Sequence, residues 1–190
     1  MRRTPLAVLL VPALLAALLS ALLLAPSPAR AAVPSERVWK ADVRKAMAGS
    51  LDYLEQRAAR ATKGEMLAIN LDIDNTMLAT RYAPGRPVFP VLQFARKARS
   101  LGMKVFVNTA RLEEKRASTL AEFDAAGYRV DGLCMRDLGE GKVKSKTECR
   151  ASFREQGYTL VANVGNNVTD FTGGGFEKAY RLPNYNKQLT

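Results

Sequence analysis

Two carboxylates, Asp72 and Asp74, stand at the end of the apolar run Met66-Leu67-Ala68-Ile69-Asn70-Leu71. A run of that kind reads as a buried strand, so both acids leave its end partly desolvated, a cost seldom accepted unless a cation or a reaction uses them. One acid of such a pair can attack phosphorus, while the other protonates the leaving oxygen and later takes a proton from water. Other chemistries are closed off. With no histidine in the chain, Ser-His-Asp and Cys-His catalysis and any imidazole metal site are excluded. Two cysteines, Cys134 and Cys149, are too few for a Cys-rich zinc module.

The elements that must position this pair can be read from the apolar pattern. Short apolar runs at 66–71, 103–108, 131–135 and 159–164 alternate with amphipathic stretches at 88–101, 112–126 and 147–156. Gly102, Gly127 and Gly157 sit where helix-closing glycines belong. Alternating strands and helices predict an α/β fold, a parallel sheet covered on both faces with its ligands at the carboxyl ends of the strands. Upstream, Val38, Val43, Met47, Leu51, Leu54 and Ala58 recur at near-helical spacing and predict one surface helix over 35–62, ended by Lys63-Gly64.

The Asp-x-Asp-x-Thr sequence of residues 72–76 resembles motif I of the haloacid dehalogenase (HAD) phosphatases. Three further segments follow in that family's order. Thr109-Ala110-Arg111 ends the second strand, with Ala110 where the family usually has glycine. Lys146-Thr147-Glu148-Cys149-Arg150 precedes Gly157-Tyr158, with Lys142 and Lys144 as competitors for the lysine. Gly165-Asn166-Asn167-Val168-Thr169-Asp170-Phe171 follows the fourth strand, with Asn166 in place of the first aspartate. Arg181-Leu182-Pro183-Asn184 is similar to the ending of the plant-type, subclass IIIB acid phosphatases.

The resemblance implies a three-layer Rossmann-like fold with a five-stranded parallel sheet of order 5-4-1-2-3. It further implies an aspartyl-phosphate intermediate, Mg²⁺ as cofactor and a small-molecule phosphomonoester as substrate. Asp72, Asp74, Thr109 and Lys146 take the catalytic positions, and Thr109, Ala110, Arg111 and Lys146 those that hold the phosphate. Asp72, Asp74, Asn166 and Asp170 take the metal positions. Between Thr76 and the second strand there is room for a short flap, Ala79 to Pro90, and one helix, but no large cap.

Charge leads to the same requirement independently. A phosphate dianion is repelled from Asp72 unless Mg²⁺ and Lys146 compensate, and Asp74 must be protonated as transfer begins. A neighbouring carboxylate and partial burial are expected to raise its pKa.

Residues 1–31 have the layout of a secretory signal. Arg2 and Arg3 precede a Leu/Ala run from Leu6 to Ala25, with Ala29-Arg30-Ala31 as the cleavage site. This divides the chain into a leader at 1–31, a helical extension at 32–64 and the phosphatase-like core at 65–190, and predicts a secreted or cell-surface protein. Membrane contact would come only through an uncleaved leader. Without its three basic residues, the 29 Lys and Arg fall to 26 against 18 Asp and Glu, a net charge of about +8. That charge is spread along the chain rather than gathered in an arm, and predicts no specific nucleic-acid partner. In an exported protein the two cysteines can be buried thiols or one disulfide, and both readings stand. A noncatalytic phosphoryl-ligand binder or storage-like protein on the same fold is the alternative function, with Asn166 as its support.

Overall fold

A computed structural model describes residues 32–189; the leader lies outside the described residues. Two helices, α1 (Glu36–Ala46) and α2 (Ser50–Ala59), take the place of the single helix expected over 35–62. Gly49 breaks the run at φ 71°, a left-handed conformation that lets the chain turn before Ser50 restarts the helix. The strands are β1 (Met66–Leu71), β2 (Lys104–Leu112), β3 (Gly132–Arg136), β4 (Tyr158–Gly165) and β5 (Lys178–Arg181). Between them run α3 (Phe89–Ser100), α4 (Arg116–Ala126) and α5 (Lys142–Glu155).

The five strands form one parallel sheet in the order β3-β2-β1-β4-β5, the order expected, read from its other edge. From β1 the chain winds outward through β2 to β3, then returns past β1 to lay down β4 and β5. Because such crossovers are right-handed, the two directions of winding put helices on opposite faces. Accordingly α3 packs on β1 and β2 from one side, while α5 packs on β2, β3 and β4 from the other. The α5 face is filled by Ala68, Phe106, Phe153 and Leu160, with the Phe106 and Phe153 rings stacked 4.2 Å apart. On the α3 face, Phe94 meets Tyr180 edge-on at 5.5 Å. The winding reverses between β1 and β4, which opens a crevice beyond their carboxyl ends.

From Asp72 to Val88 the chain forms turns and two isolated bridges, Asp74 to Leu78 and Leu78 to Pro87, and enters α3 directly. This is the short flap, with no inserted domain. Cys134 and Cys149 form a disulfide that ties β3 to α5, which resolves the two readings left open above. Among the described residues no helix is long and apolar enough to cross a membrane.

Candidate active site

The crevice at the β1/β4 switch point holds a cleft of ≈ 120 Å³ lined by Asp72, Asp74, Ala110, Lys146, Asn166 and Leu189, among others. Asp72 follows β1 directly, and its backbone N–H donates to Val164 O of β4 at 2.9 Å, so the sheet ladder itself fixes its start. Its carboxylate is buried. Lys146 Nζ donates to Oδ1 at 2.6 Å and Thr76 Oγ1 to Oδ2 at 3.1 Å. Lys146 reaches the cleft from α5, where Lys146, Cys149, Arg150 and Phe153 form the helix's buried face. The same ammonium donates to Asp170 Oδ1. The three candidate lysines thus separate: Lys146 is 3% exposed inside the site, Lys142 lines its mouth, and Lys144 pairs outside it with Glu140 and Glu148.

Asp170 is delivered by a one-turn helix, Val168–Asp170, after β4. Asn167 N–H donates to Asp170 Oδ2 at 2.7 Å, and the Asn167 side chain accepts from Thr169 N in return. A Cβ on Gly165 would collide with the Asp170 carboxylate, so the glycine that opens this motif is required by close approach.

Several residues outside the expected set hold the functional ones in place. Asn108 donates to Lys146 O at 2.7 Å, and Asn163 to Asp170 O at 3.0 Å, itself accepting from Asn70. Arg150, 1% exposed, donates to the carbonyls of Asp170, Thr172 and Gly174 and fastens the loop at 170–174 to α5. Asn75, at φ 57°, donates to Leu189 O at 2.6 Å and brings the C-terminal turn over the cleft. Polar residues inside apolar strands were the available signal for the asparagines, since a buried amide needs a partner. Nothing local marked Leu189.

Thr109 is buried, and its hydroxyl accepts from Arg111 N–H at 3.1 Å. Arg111 lies alongside Asp74, with Nη2 2.8 Å from Oδ1 and Nε 3.1 Å from Oδ2, while Nη1 reaches Glu122 at 3.0 Å. Thr80 Oγ1 adds a bond to Asp74 Oδ1 at 2.8 Å. The expectation of a raised Asp74 pKa is reversed. Burial does push it up, but Arg111, Thr80 and Lys146 outweigh burial and hold the carboxyl below its ordinary value. The raised carboxyl is Asp72, lifted by burial and by Asp170 more than Lys146 lowers it. Burial works against the charge on Lys146, yet Asp72 and Asp170 keep its pKa above the ordinary lysine value.

With both acids ionised, Asp72, Asp170 and Lys146 carry one net negative charge in a buried cluster. Beside them the buried Asn166 amide nitrogen has no hydrogen-bond partner among the described residues. A carboxylate pair with spare negative charge and an amide oxygen is a hard donor set that fits a small divalent cation. The Asp74 carboxylate, in the same cleft, is engaged by Arg111 and Thr80, and among the described residues no three acids or thiols converge as a ready-made cage.

The family model for the HAD superfamily, subfamily IIIB (acid phosphatase), matches residues 83–188. The chain is 32% identical over 106 residues to the stem 28 kDa glycoprotein of Glycine max, which covers 52% of this chain and 42% of that one. It is 31% identical over 98 residues to acid phosphatase 1 of Solanum lycopersicum, covering 49% and 38%. The chain thus spans about two fifths of the length of these relatives. The class C acid phosphatase from Bacillus anthracis has the same fold, with a TM-score of 0.65 at 19% identity over 79% of each chain.

Proposed function

Because the chain belongs to subfamily IIIB of the HAD superfamily, the acid phosphatases, we propose that it hydrolyses small phosphomonoesters through a phosphoryl group carried on Asp72. The observation that carries this reading is the Asp72 carboxylate itself, buried at the switch point and oriented by Lys146 on one oxygen and Thr76 on the other. An Asp72 oxygen attacks phosphorus, the bond from phosphorus to the ester oxygen breaks, and a proton from Asp74 goes to the departing oxygen. In the second half, the Asp74 carboxylate takes a proton from water as that water's oxygen attacks phosphorus, and inorganic phosphate leaves with Asp72 restored.

Asp74 can act as an acid only after Arg111 lets it go. An incoming phosphate dianion competes for the guanidinium, and transfer of Arg111 from carboxylate to phosphate leaves a partly buried acid without its cation, so that it takes up a proton. Thr109, Ala110 and Lys146 complete the phosphate-binding surface in this reading. Mg²⁺ is the cation we assign to Asp72, Asn166 and Asp170, and when bound it offsets the charge of the nucleophile and the phosphoryl oxygens.

We extend the proposal to export. It is supported by the leader layout of residues 1–31, by the oxidised cysteine pair and by relatives named as glycoproteins. A storage-like phosphoryl binder is the second reading, favoured by Asn166 and by the stem glycoproteins among the relatives.

Hydrolysis of p-nitrophenyl phosphate by the pure protein, with Mg²⁺ and with chelator, separates the two. Mg²⁺-dependent turnover is expected. Phosphate binding without turnover in either condition would sink the enzyme reading in favour of the binder.

A further inference from the structure

A second hollow, of ≈ 370 Å³, lies between α1 and the flap and shares no lining residue with the cleft. Its size falls in the range of small-molecule pockets, about 300–1,000 Å³. Trp39, Val43 and Val88 form apolar walls, and Phe89 stands at its side 60% exposed. The α1 wall is held to the flap by the Trp39 and Tyr82 rings, stacked 4.9 Å apart, and by Tyr82 Oη donating to Pro34 O at 2.7 Å.

The rim points to a ligand because it is unbalanced in charge. Lys40 pairs with Glu36, but Arg44 and Arg86 line the hollow and meet no acid among the described residues. Apolar walls and two guanidinium groups with no acid beside them among the described residues together select for one chemistry, an apolar body carrying an anionic oxygen head.

We infer that the groove between α1 and the flap binds a small soluble amphiphilic carboxylate. Its apolar body lies against Trp39, Val43, Val88 and Phe89, and its head group answers Arg44 and Arg86. This site is independent of the catalytic reading.

Trp39 is the sole tryptophan of the chain, so fluorescence excited where tyrosine does not absorb reports on the groove's α1 wall. Octanoate, which does not absorb at the excitation wavelength, is the probe, and 1-octanol its uncharged counterpart. Titration with octanoate should change Trp39 emission saturably, and 1-octanol should bind roughly fivefold or more weakly. The double variant Arg44→Ala/Arg86→Ala should lose a similar factor, while Arg81→Ala, exposed on the same flap but outside the groove, should bind as the parent does. The inference is overturned by an emission that does not saturate, by equal binding of octanol, or by equal binding to the double variant.

Discussion

The Arg111 guanidinium lies against both carboxylate oxygens of Asp74, at 2.8 and 3.1 Å, across 37 residues of sequence. The contact holds the Asp74 carboxyl ionised when the site is at rest, and so opposes the protonated state that leaving-group departure requires. Arg111→Ala removes the guanidinium that lowers this pKa and leaves the burial that raises it, so Asp74 should titrate higher. In the pH profile of kcat/KM, the limb assigned to Asp74 should move to higher pH. Arg111→Lys keeps the charge without the two-pronged contact and should give a smaller shift. A limb unmoved in both variants would separate Asp74 from the acid role.

Replacing Asp72 separates chemistry from folding. Asp72→Asn should lower turnover by roughly a thousandfold or more, because the amide keeps the shape and loses the nucleophile. The cluster of Asp72, Asp170 and Lys146 drops from one net negative charge to none, so the melting temperature without metal should stay level or rise. Activity and thermal melts on the same preparation check both halves.

Asp74→Asn should discriminate between leaving groups. Turnover of alkyl phosphates, whose oxygen needs a proton to depart, should fall roughly a hundredfold further than that of p-nitrophenyl phosphate. Equal losses on the two substrates would count against proton donation by Asp74.

At Asn166, the change to aspartate adds a charged oxygen beside Asp72 and Asp170. Mg²⁺ should then raise the melting temperature at lower concentrations than in the parent, and the metal-free variant should melt lower because its cluster carries a second net negative charge. Melting curves across a Mg²⁺ series read both effects without an activity assay. An unchanged metal dependence would remove Asn166 from the metal position.

Asp131 sets a pH dependence of stability remote from the site. Burial pushes its pKa up, but the Val105 N–H at 2.9 Å, the Lys104 ammonium at 3.1 Å and Arg99 pull it below the ordinary carboxylate value. Its stabilisation is therefore complete above the unfolded-state pKa, near 4, and is lost as pH falls through the lower folded value. Urea unfolding from pH 7 down to pH 2 should show a steeper loss for the parent than for Asp131→Asn, which starts lower and carries no titrating group there.

Removal of the disulfide tests the support behind Lys146. Cys134→Ala/Cys149→Ala frees a loop of 15 residues and should destabilise the protein by about 3 kcal/mol in the chain-entropy description. Cys149 lies one helical turn from Lys146, so kcat should fall more than KM rises.

Much of this architecture was legible in the chain because its signals are local. The apolar runs placed β1 to β4 within one or two residues over most of their ends, and Gly102, Gly127 and Gly157 marked where helices stop. Asp72 and Asp74 could be identified because a strand end and two acids are adjacent in sequence. The break at Gly49 was hidden, since the apolar spacing on α1 and α2 continues across it and only the backbone turns. The full length of β2, which runs to Leu112, was hidden as well, because residues 109–112 do not prolong the apolar run at 103–108.

The sequence by itself determined which groups are available for chemistry and in which order along the sheet they are presented. Strand alternation and turn chemistry depend on residues a few positions apart. Only the tertiary structure decided which groups meet. Lys146 rather than Lys142 or Lys144 became the buried cation because α5 turns that position toward β1, beside two carboxylates 74 and 24 residues away. The pairing of Arg111 with Asp74, the joining of Cys134 to Cys149, and the closure of Leu189 over the cleft were decided in the same way. Such contacts follow from how the helices pack on the sheet, and the electrostatics of each group follow from its partners in space. The Asp72 and Asp74 carboxyls, two residues apart, are for that reason shifted in opposite directions.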